Sequence, residues 1–271
     1  MGSTTDLIDI DADNPTQVSA LLLDFGGVIF RGGMKRENGV QGLADSVNEL
    51  LKSTGNAMPK QRLIEDIDAA RKAYKGWKLA ETRRFAPREV THQEFWGDFI
   101  AGSWPANCRV TVIQHASALM SELQLGLKIK QVQAGMPELL EAAHDAGVKL
   151  GIVSNTLCGS ANRQLLEQHG LSQYVDAHVY SDEVGLRKPN PAIFGIAADW
   201  LGVDLAASWY VGDQYDRDVV GARRAGVGRV VVMRADERST TPEGAEHRPD
   251  AAVDDGWGLL ELLDARSRAP A

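Results

Sequence analysis

Ser19-Ala-Leu-Leu-Leu-Asp24-Phe-Gly-Gly-Val-Ile29 is a short apolar run that ends in one carboxylate and two glycines. An apolar run without polar alternation marks a strand buried on both faces, as in a parallel sheet. Asp24 therefore falls at the carboxyl end of a strand, where open parallel sheets bind their ligands.

The same kind of run recurs from Met136 onward, now alternating with helical patterns. Pro137-Glu-Leu-Leu-Glu-Ala-Ala-His144 reads as a helix with Pro at its start, Val148 to Ser154 as a strand, and Leu157 to His169 as a helix ended by Gly170. Ala177 to Ser181, Trp209 to Gly212 and Arg229 to Met233 read as further strands, with helices at Pro191 to Leu201 and Asp216 to Ala225 between them. This alternation predicts an α/β fold, a doubly wound Rossmann-like parallel sheet.

Between the first strand and this repeat the period changes. Leu63, Ile67, Ala70, Tyr74 and Trp77 form one apolar helical stripe, and Gly39 to Lys52 reads likewise. Thr91-His-Gln-Glu94 is a capping box ahead of Phe95 and Phe99, and a fourth helix is expected over Val110 to Leu123. The expected organisation is an acidic lead over 1–17, a core over 18–30 and 134–265, and an inserted, mostly helical cap over 31–133. Trp77, Trp96 and Trp104 read as core of that insertion. Arg31, Lys75, Lys78, Arg83 and Arg84 read as its solvated face, with reach toward a substrate as the alternative.

At 271 residues the chain is long enough for such a core plus insertion, and 44% hydrophobic with 24% charged residues excludes wholesale disorder. The net charge of −8 speaks against a nucleic-acid or anionic-membrane partner, which needs surplus Lys and Arg. It is unevenly spread: Arg31 to Gln133 holds 16 Lys and Arg against 11 Asp and Glu, the remainder 13 against 26. A basic insertion over an acidic core suits an anionic substrate assisted by a cation. Cys108 and Cys158 form neither a disulfide framework nor a zinc-ligand spacing. No basic leader or stretch of ~20 apolar residues is present, so a cytoplasmic protein without a membrane partner is expected. Asp9-Ile-Asp-Ala-Asp-Asn14 mimics the opening of a calcium loop but has Asn14 where that loop needs Gly and Ala20 where it needs Glu, and reads as solvated tail.

Four groups fall at strand carboxyl ends: Asp24; Ser154-Asn155-Thr156; Lys188-Pro189 in the loop from Gly185; and Gly212-Asp213 with Asp218 five residues on. Carboxylates, a hydroxyl at a helix start and a lysine suit a phosphate plus a hard divalent cation. In this order the chain resembles the haloacid dehalogenase-like (HAD) hydrolase superfamily, in its helical-cap subfamily. The resemblance rests on Asp24-Phe-Gly-Gly-Val-Ile, Val153-Ser-Asn, Arg187-Lys-Pro-Asn-Pro-Ala-Ile-Phe and Val211-Gly-Asp-Gln-Tyr-Asp-Arg-Asp, and covers Val18 to about Met233.

The resemblance implies that Asp24 is the nucleophile of a phosphatase working through an aspartyl-phosphate on a small phosphorylated substrate. It implies that Asp24, the carbonyl of Gly26 and Asp213 hold Mg²⁺ with support from Asp218. Ser154, Asn155 and Lys188 would bind the phosphoryl group, Lys188 offsetting its charge. The sequence departs from the family at Gly26, where an acid/base aspartate is usual. That points to good leaving groups such as anomeric or acyl phosphates, or to an acid borrowed from the cap. A 2-haloacid dehalogenase and a catalytically silent phosphate-binding or scaffold protein are the alternatives.

Overall fold

The computed structural model describes residues 18–35 and 38–267. The acidic lead and the Asp9–Asn14 motif lie outside them. Six parallel strands form the central sheet: β1 (Ala20–Leu23), β4 (Lys149–Ser154), β5 (Ala177–Tyr180), β6 (Ser208–Gly212), β7 (Arg229–Met233) and β8 (Ala251–Val253). Their order is β5-β4-β1-β6-β7-β8, so the first strand of the chain is central and the winding reverses between β1 and β6. Leu23 pairs with Ile152 on one side and Val211 on the other. The carboxyl ends of β1, β4 and β6 therefore finish side by side, at the reversal point where such sheets leave a ligand crevice.

Side-chain alternation divides the strands between two cores. Leu21, Leu23, Trp209 and Val211 pack with α6 (Met136–Asp145), α7 (Gly159–Gln168) and α11 (Gly256–Ser267). Ala20, Leu22 and Tyr210 pack on the opposite face with α9 (Ala192–Leu201) and α10 (Val220–Arg224). A short helix, α8 (Ser181–Val184), follows β5.

The segment between β1 and β4 opens and closes on an antiparallel ribbon, β2 (Phe30–Lys35) with β3 (Lys128–Val132). The insertion was expected to be mostly helical, with a helix over Gly39 to Lys52, and no strand was read ahead of it. The ribbon forms there because Arg31 pairs with Gln131 and Gly32 with Lys130, partners about a hundred residues away that local periodicity cannot report. Within the ribbon, any Cβ at Gly33 would strike the Ile129 carbonyl.

Inside it lie α1 (Gly39–Ser53), α2 (Lys60–Glu81), α3 (His92–Glu94) continuing into a wider π-type turn over Phe95–Ile100, α4 (Ala106–Gln114) and α5 (Ala116–Gly126). The Thr91–Glu94 capping box forms as read. The single helix expected over Val110 to Leu123 is two, because at His115 the ring Nδ1 approaches the Thr111 carbonyl at 3.0 Å and the backbone leaves helical ψ. Leu63, Ile67, Ala70, Tyr74, Trp96 and Trp104 join one apolar cluster, which also takes in Cys158 and Ala161 at the start of α7. Trp77 packs at its margin. No helix among the described residues is long and apolar enough to cross a membrane.

Candidate active site

Asp24 continues the sheet by one hydrogen bond, its N–H donating to the Val211 carbonyl at 2.9 Å, and its carboxylate emerges where the strands end. Oδ1 accepts from the Phe25 N–H at 2.8 Å and lies 3.1 Å from Lys188 Nζ; Oδ2 lies 3.3 Å from Arg217 Nη2. The same Arg217 nitrogen donates to Asp213 Oδ1 at 3.0 Å, so one guanidinium spans both carboxylates. Lys188 Nζ lies 2.7 Å from Asp218 Oδ1 and donates to the Tyr210 hydroxyl at 2.5 Å, which in turn donates to Asp218 Oδ1 at 2.8 Å. Asp218 Oδ2 accepts from the N–H groups of Asp213 and Gln214 at 3.2 and 2.9 Å.

Four of the sequence-expected residues, Asp24, Lys188, Asp213 and Asp218, thus meet in one buried cluster. Ser154 is buried at the end of β4, beside them in the strand order. Asn155 has its amide committed to the neighbouring loop: Nδ2 donates to the Lys188 carbonyl at 3.0 Å, and Oδ1 accepts from the Lys188 N–H at 2.8 Å. Its side chain holds Lys188 in place. Gly26 is half-buried, with no atom within 4 Å of where a Cβ would stand.

Two other glycines are there for close approach. Gly27 has φ +89°, and any Cβ on it would collide with the Asp213 carboxylate; a Cβ on Gly212 would collide with the Asp218 side chain. After Gln214 the chain makes a wide π-type turn over Tyr215–Val219 before α10, where one regular helix was expected. The turn carries both Arg217 and Asp218; such widened turns recur at functional sites.

Three carboxylates and two cations share this volume, and their protonation diverges. Burial, then the charges of Asp218 and Asp24, push Asp213 up to about 7. Burial pushes Asp218 in the same direction, but Lys188 and Arg217 outweigh it and hold its carboxyl well below the usual range. Burial followed by the Asp218 and Asp24 charges raises the Tyr210 phenol, which therefore stays a neutral bridge.

Asp24, Asp213 and Asp218 each offer one oxygen, all within 4.8 Å of one another, and hard carboxylate oxygens are what Mg²⁺ takes. The guanidinium drawn between Asp24 and Asp213 shows that this pair attracts a cation. Asp218 spends its lone pairs on Lys188, Tyr210 and two backbone N–H groups. The residues present fit a divalent cation on Asp24 and Asp213 with Asp218 as scaffold.

Above this floor is a cavity of about 160 Å³, lined by Asn155, Thr156 and Arg217 from the sheet side, Arg187 from the loop of Lys188, and Tyr74 and Lys78 from α2. A second cavity, about 290 Å³, opens at the ends of β7 and β8; neither cavity is lined by the four clustered side chains, and the first is joined to them through Arg217, which bonds Asp24 and Asp213. Arg187 is tied down by Glu89, whose Oε1 and Oε2 it meets at 2.9 and 3.0 Å; Glu89 also accepts from the Tyr74 hydroxyl at 2.9 Å and the Ser181 hydroxyl at 2.7 Å.

Sequence reasoning assigned no role to Tyr210, Arg217 or Glu89. The alternation that turns Tyr210 away from Trp209 and Val211 could have flagged it, and Arg217 stands inside a quoted motif. Glu89 carries no local signal, since Arg187 is 98 positions away.

Residues 18–226 match the family described as haloacid dehalogenase-like hydrolase. The chain belongs to that family. Among curated HAD-like relatives, a glyceraldehyde 3-phosphate phosphatase of Methanopyrus kandleri is 34% identical over 128 residues, 47% of this chain and 54% of the relative. The chain spans about half the length of the first curated relatives it matches. Among solved structures, a HAD phosphatase from Thermococcus onnurineus aligns with TM-score 0.54 at 22% identity, covering 90% of this chain and 97% of that one. A 2-haloacid dehalogenase from Pseudomonas syringae pv. Tomato aligns with TM-score 0.59 at 16% identity, covering 93% and 100%. This likeness establishes the HAD fold, and it extends to a phosphatase and a dehalogenase alike.

Proposed function

We propose that this HAD-like hydrolase is a Mg²⁺-dependent phosphatase of a small phosphorylated metabolite. The observation that carries the reading is Asp24, buried at the reversal point of the sheet with Lys188 against one oxygen and a second carboxylate, Asp213, sharing the cation on the other. In this reading Asp24 attacks phosphorus and carries the phosphoryl group until water removes it. Asp24, Asp213 and the Gly26 carbonyl would hold Mg²⁺, which when bound would supply charge neutralisation for the phosphoryl group. Ser154 and the backbone amide after it receive those oxygens. Lys188, kept in place by Asn155, Tyr210 and Asp218, offsets the charge between nucleophile and phosphate.

Residues 18–30 and 134–265 form the catalytic core in this reading, and 31–133 the cap that selects the substrate. A cavity of about 160 Å³ is roughly half the ~300 Å³ at which drug-sized sites begin, which favours a metabolite of few atoms. Without a carboxylic acid at Gly26, turnover is biased toward esters whose leaving oxygen needs little protonation, such as anomeric or acyl phosphates. The two free, buried cysteines suit the reducing cytoplasm.

Phosphate release from sugar, acyl and small-acid phosphates, with Mg²⁺ and with EDTA, tests the reading. Release that EDTA and Asp24→Asn both abolish is expected. Halide release from 2-haloacids that survives EDTA would replace it with the dehalogenase reading.

A further inference from the structure

Gly26 leaves the leaving-group oxygen without the carboxylic acid that would protonate it, so for an ester of an ordinary alcohol another wall of the cavity has to supply the proton. Few of the lining residues can give one near neutral pH. Arg187 and Arg217 are permanent cations, and Arg187 is spent on Glu89. The Tyr74 hydroxyl already donates to Glu89, and burial followed by the Glu89 charge pushes its phenol well above the ordinary range. Gln124, Asn155, Thr156 and Leu157 have no exchangeable acid.

Lys78 remains. It lies in the last turns of α2, on the wall provided by the inserted helices, with Nζ 4.9 Å from the centre of the Tyr74 ring. No carboxylate forms an ion pair with it among the described residues. Across the cavity stands Arg217, the residue bonded to Asp24. The largest charge effects on Lys78 come from Arg187 beside Lys188, Arg217 on the turn after β6, Glu89, and Arg238 beyond β7. Burial first, then the arginines, lower the ammonium to about 8.

Resting on the phosphatase reading above, we propose that Lys78 is the general acid of this site, protonating the leaving oxygen in place of the residue missing at Gly26. As the Asp24 carboxylate bonds to phosphorus and the phosphorus–ester oxygen bond breaks, the Lys78 ammonium passes one proton to that oxygen. Alcohol and neutral amine result. In the second half the amine takes a proton from the water attacking the aspartyl-phosphate. The phosphorus–Asp24 bond breaks, inorganic phosphate leaves, and ammonium and carboxylate are restored. An ammonium is a weaker acid than a carboxylic acid, so the preference for good leaving groups is softened and not abolished.

The test compares Lys78→Met and Lys78→Arg with the wild type on p-nitrophenyl phosphate, whose phenolate leaves without a proton, and on glycerol phosphate, whose alkoxide needs one. Both variants are expected to lose ~100-fold or more in kcat/KM on glycerol phosphate and less than about threefold in kcat/KM on p-nitrophenyl phosphate, because kcat/KM reports the steps through ester cleavage and not the later aspartyl-phosphate hydrolysis that both esters share; retained kcat/KM on p-nitrophenyl phosphate also reports that the variants fold. Wild-type kcat/KM for glycerol phosphate is expected to fall as pH rises through about 8, a limb absent from kcat/KM with p-nitrophenyl phosphate and in Lys78→Met. Equal losses on both esters, or recovery of glycerol phosphate turnover in Lys78→Arg, would overturn the proposal by showing that Lys78 supplies binding or charge. A wild type inert toward both esters would overturn the phosphatase reading itself.

Discussion

Replacing Glu89 with Gln is an isosteric change that strips a buried ion pair of its charge. Glu89 and Arg187 are 3% and 1% exposed, so solvent screening does little to soften their interaction. The carboxylate takes two contacts from Arg187, one each from the Tyr74 and Ser181 hydroxyls, and one from the Val90 N–H. An amide cannot accept at its nitrogen, and it leaves the guanidinium charge buried and unpaired beside an Nε that already lacks a partner among the described residues. Removing one partner of such a pair costs about 3–5 kcal/mol. In a chain of this size about 1 kcal/mol moves the melting temperature by ~2–4 °C, so the variant should melt roughly 6–20 °C lower by circular dichroism. Replacing both residues, as in Glu89→Met with Arg187→Met, should cost less than the sum of the single changes, because no charge is stranded. A drop below about 2 °C for Glu89→Gln, or strictly additive losses in the cycle, would refute the account.

Two further outcomes follow from particular contacts. Gly26→Asp has room for its side chain and should raise turnover of alkyl phosphates ~10-fold or more with little change in melting temperature; unchanged turnover would mean that proton supply does not limit the reaction. His92 Nε2 lies 3.2 Å from Asp182 Oδ2, and the Asp182 hydrogen bond, against opposing burial, raises the imidazole above its ordinary value. A raised histidine contributes stability that is complete below the unfolded value of about 6.5 and is lost as pH rises through the folded value. Asp182→Asn should therefore lower the melting temperature more at about pH 5.5 than at about pH 9, and equal shifts at both would count against the pair.

Much of the sheet was legible because buried parallel strands announce themselves without reference to their neighbours. Leu21 to Leu23 and Val230 to Val232 are apolar on both faces and can be little else. The floor of the candidate site was legible for a related reason: Asp24, Ser154, Lys188 and Asp213 each end or follow such a strand or its loop, and strand ends converge by topology. What stayed hidden depends on pairing across distance. The ribbon of β2 and β3 joins residues whose local pattern is weak, and the break at His115 arises from one ring meeting one carbonyl. Lys78 read as a solvated charge on helical spacing alone; only the folding of α2 over the loop of Lys188 turns it toward a cavity.

The ribbon also bears on how such a chain can change over evolution. Because Arg31 and Gln131 sit face to face, everything between them leaves and rejoins the sheet at a single point, and no sheet strand is interrupted by it. Although α7, the loop from Gly185 to Asn190, Thr156, Asp182 and Arg224 all touch it, the whole stretch is in topological terms one long hairpin loop. Exchanging it for another would leave Asp24, Ser154, Lys188 and Asp213 in register while replacing Tyr74 and Lys78 on the wall of the cavity. The carboxylate cluster and one wall of the cavity are thus written on separable lengths of one chain, free to diversify at different rates.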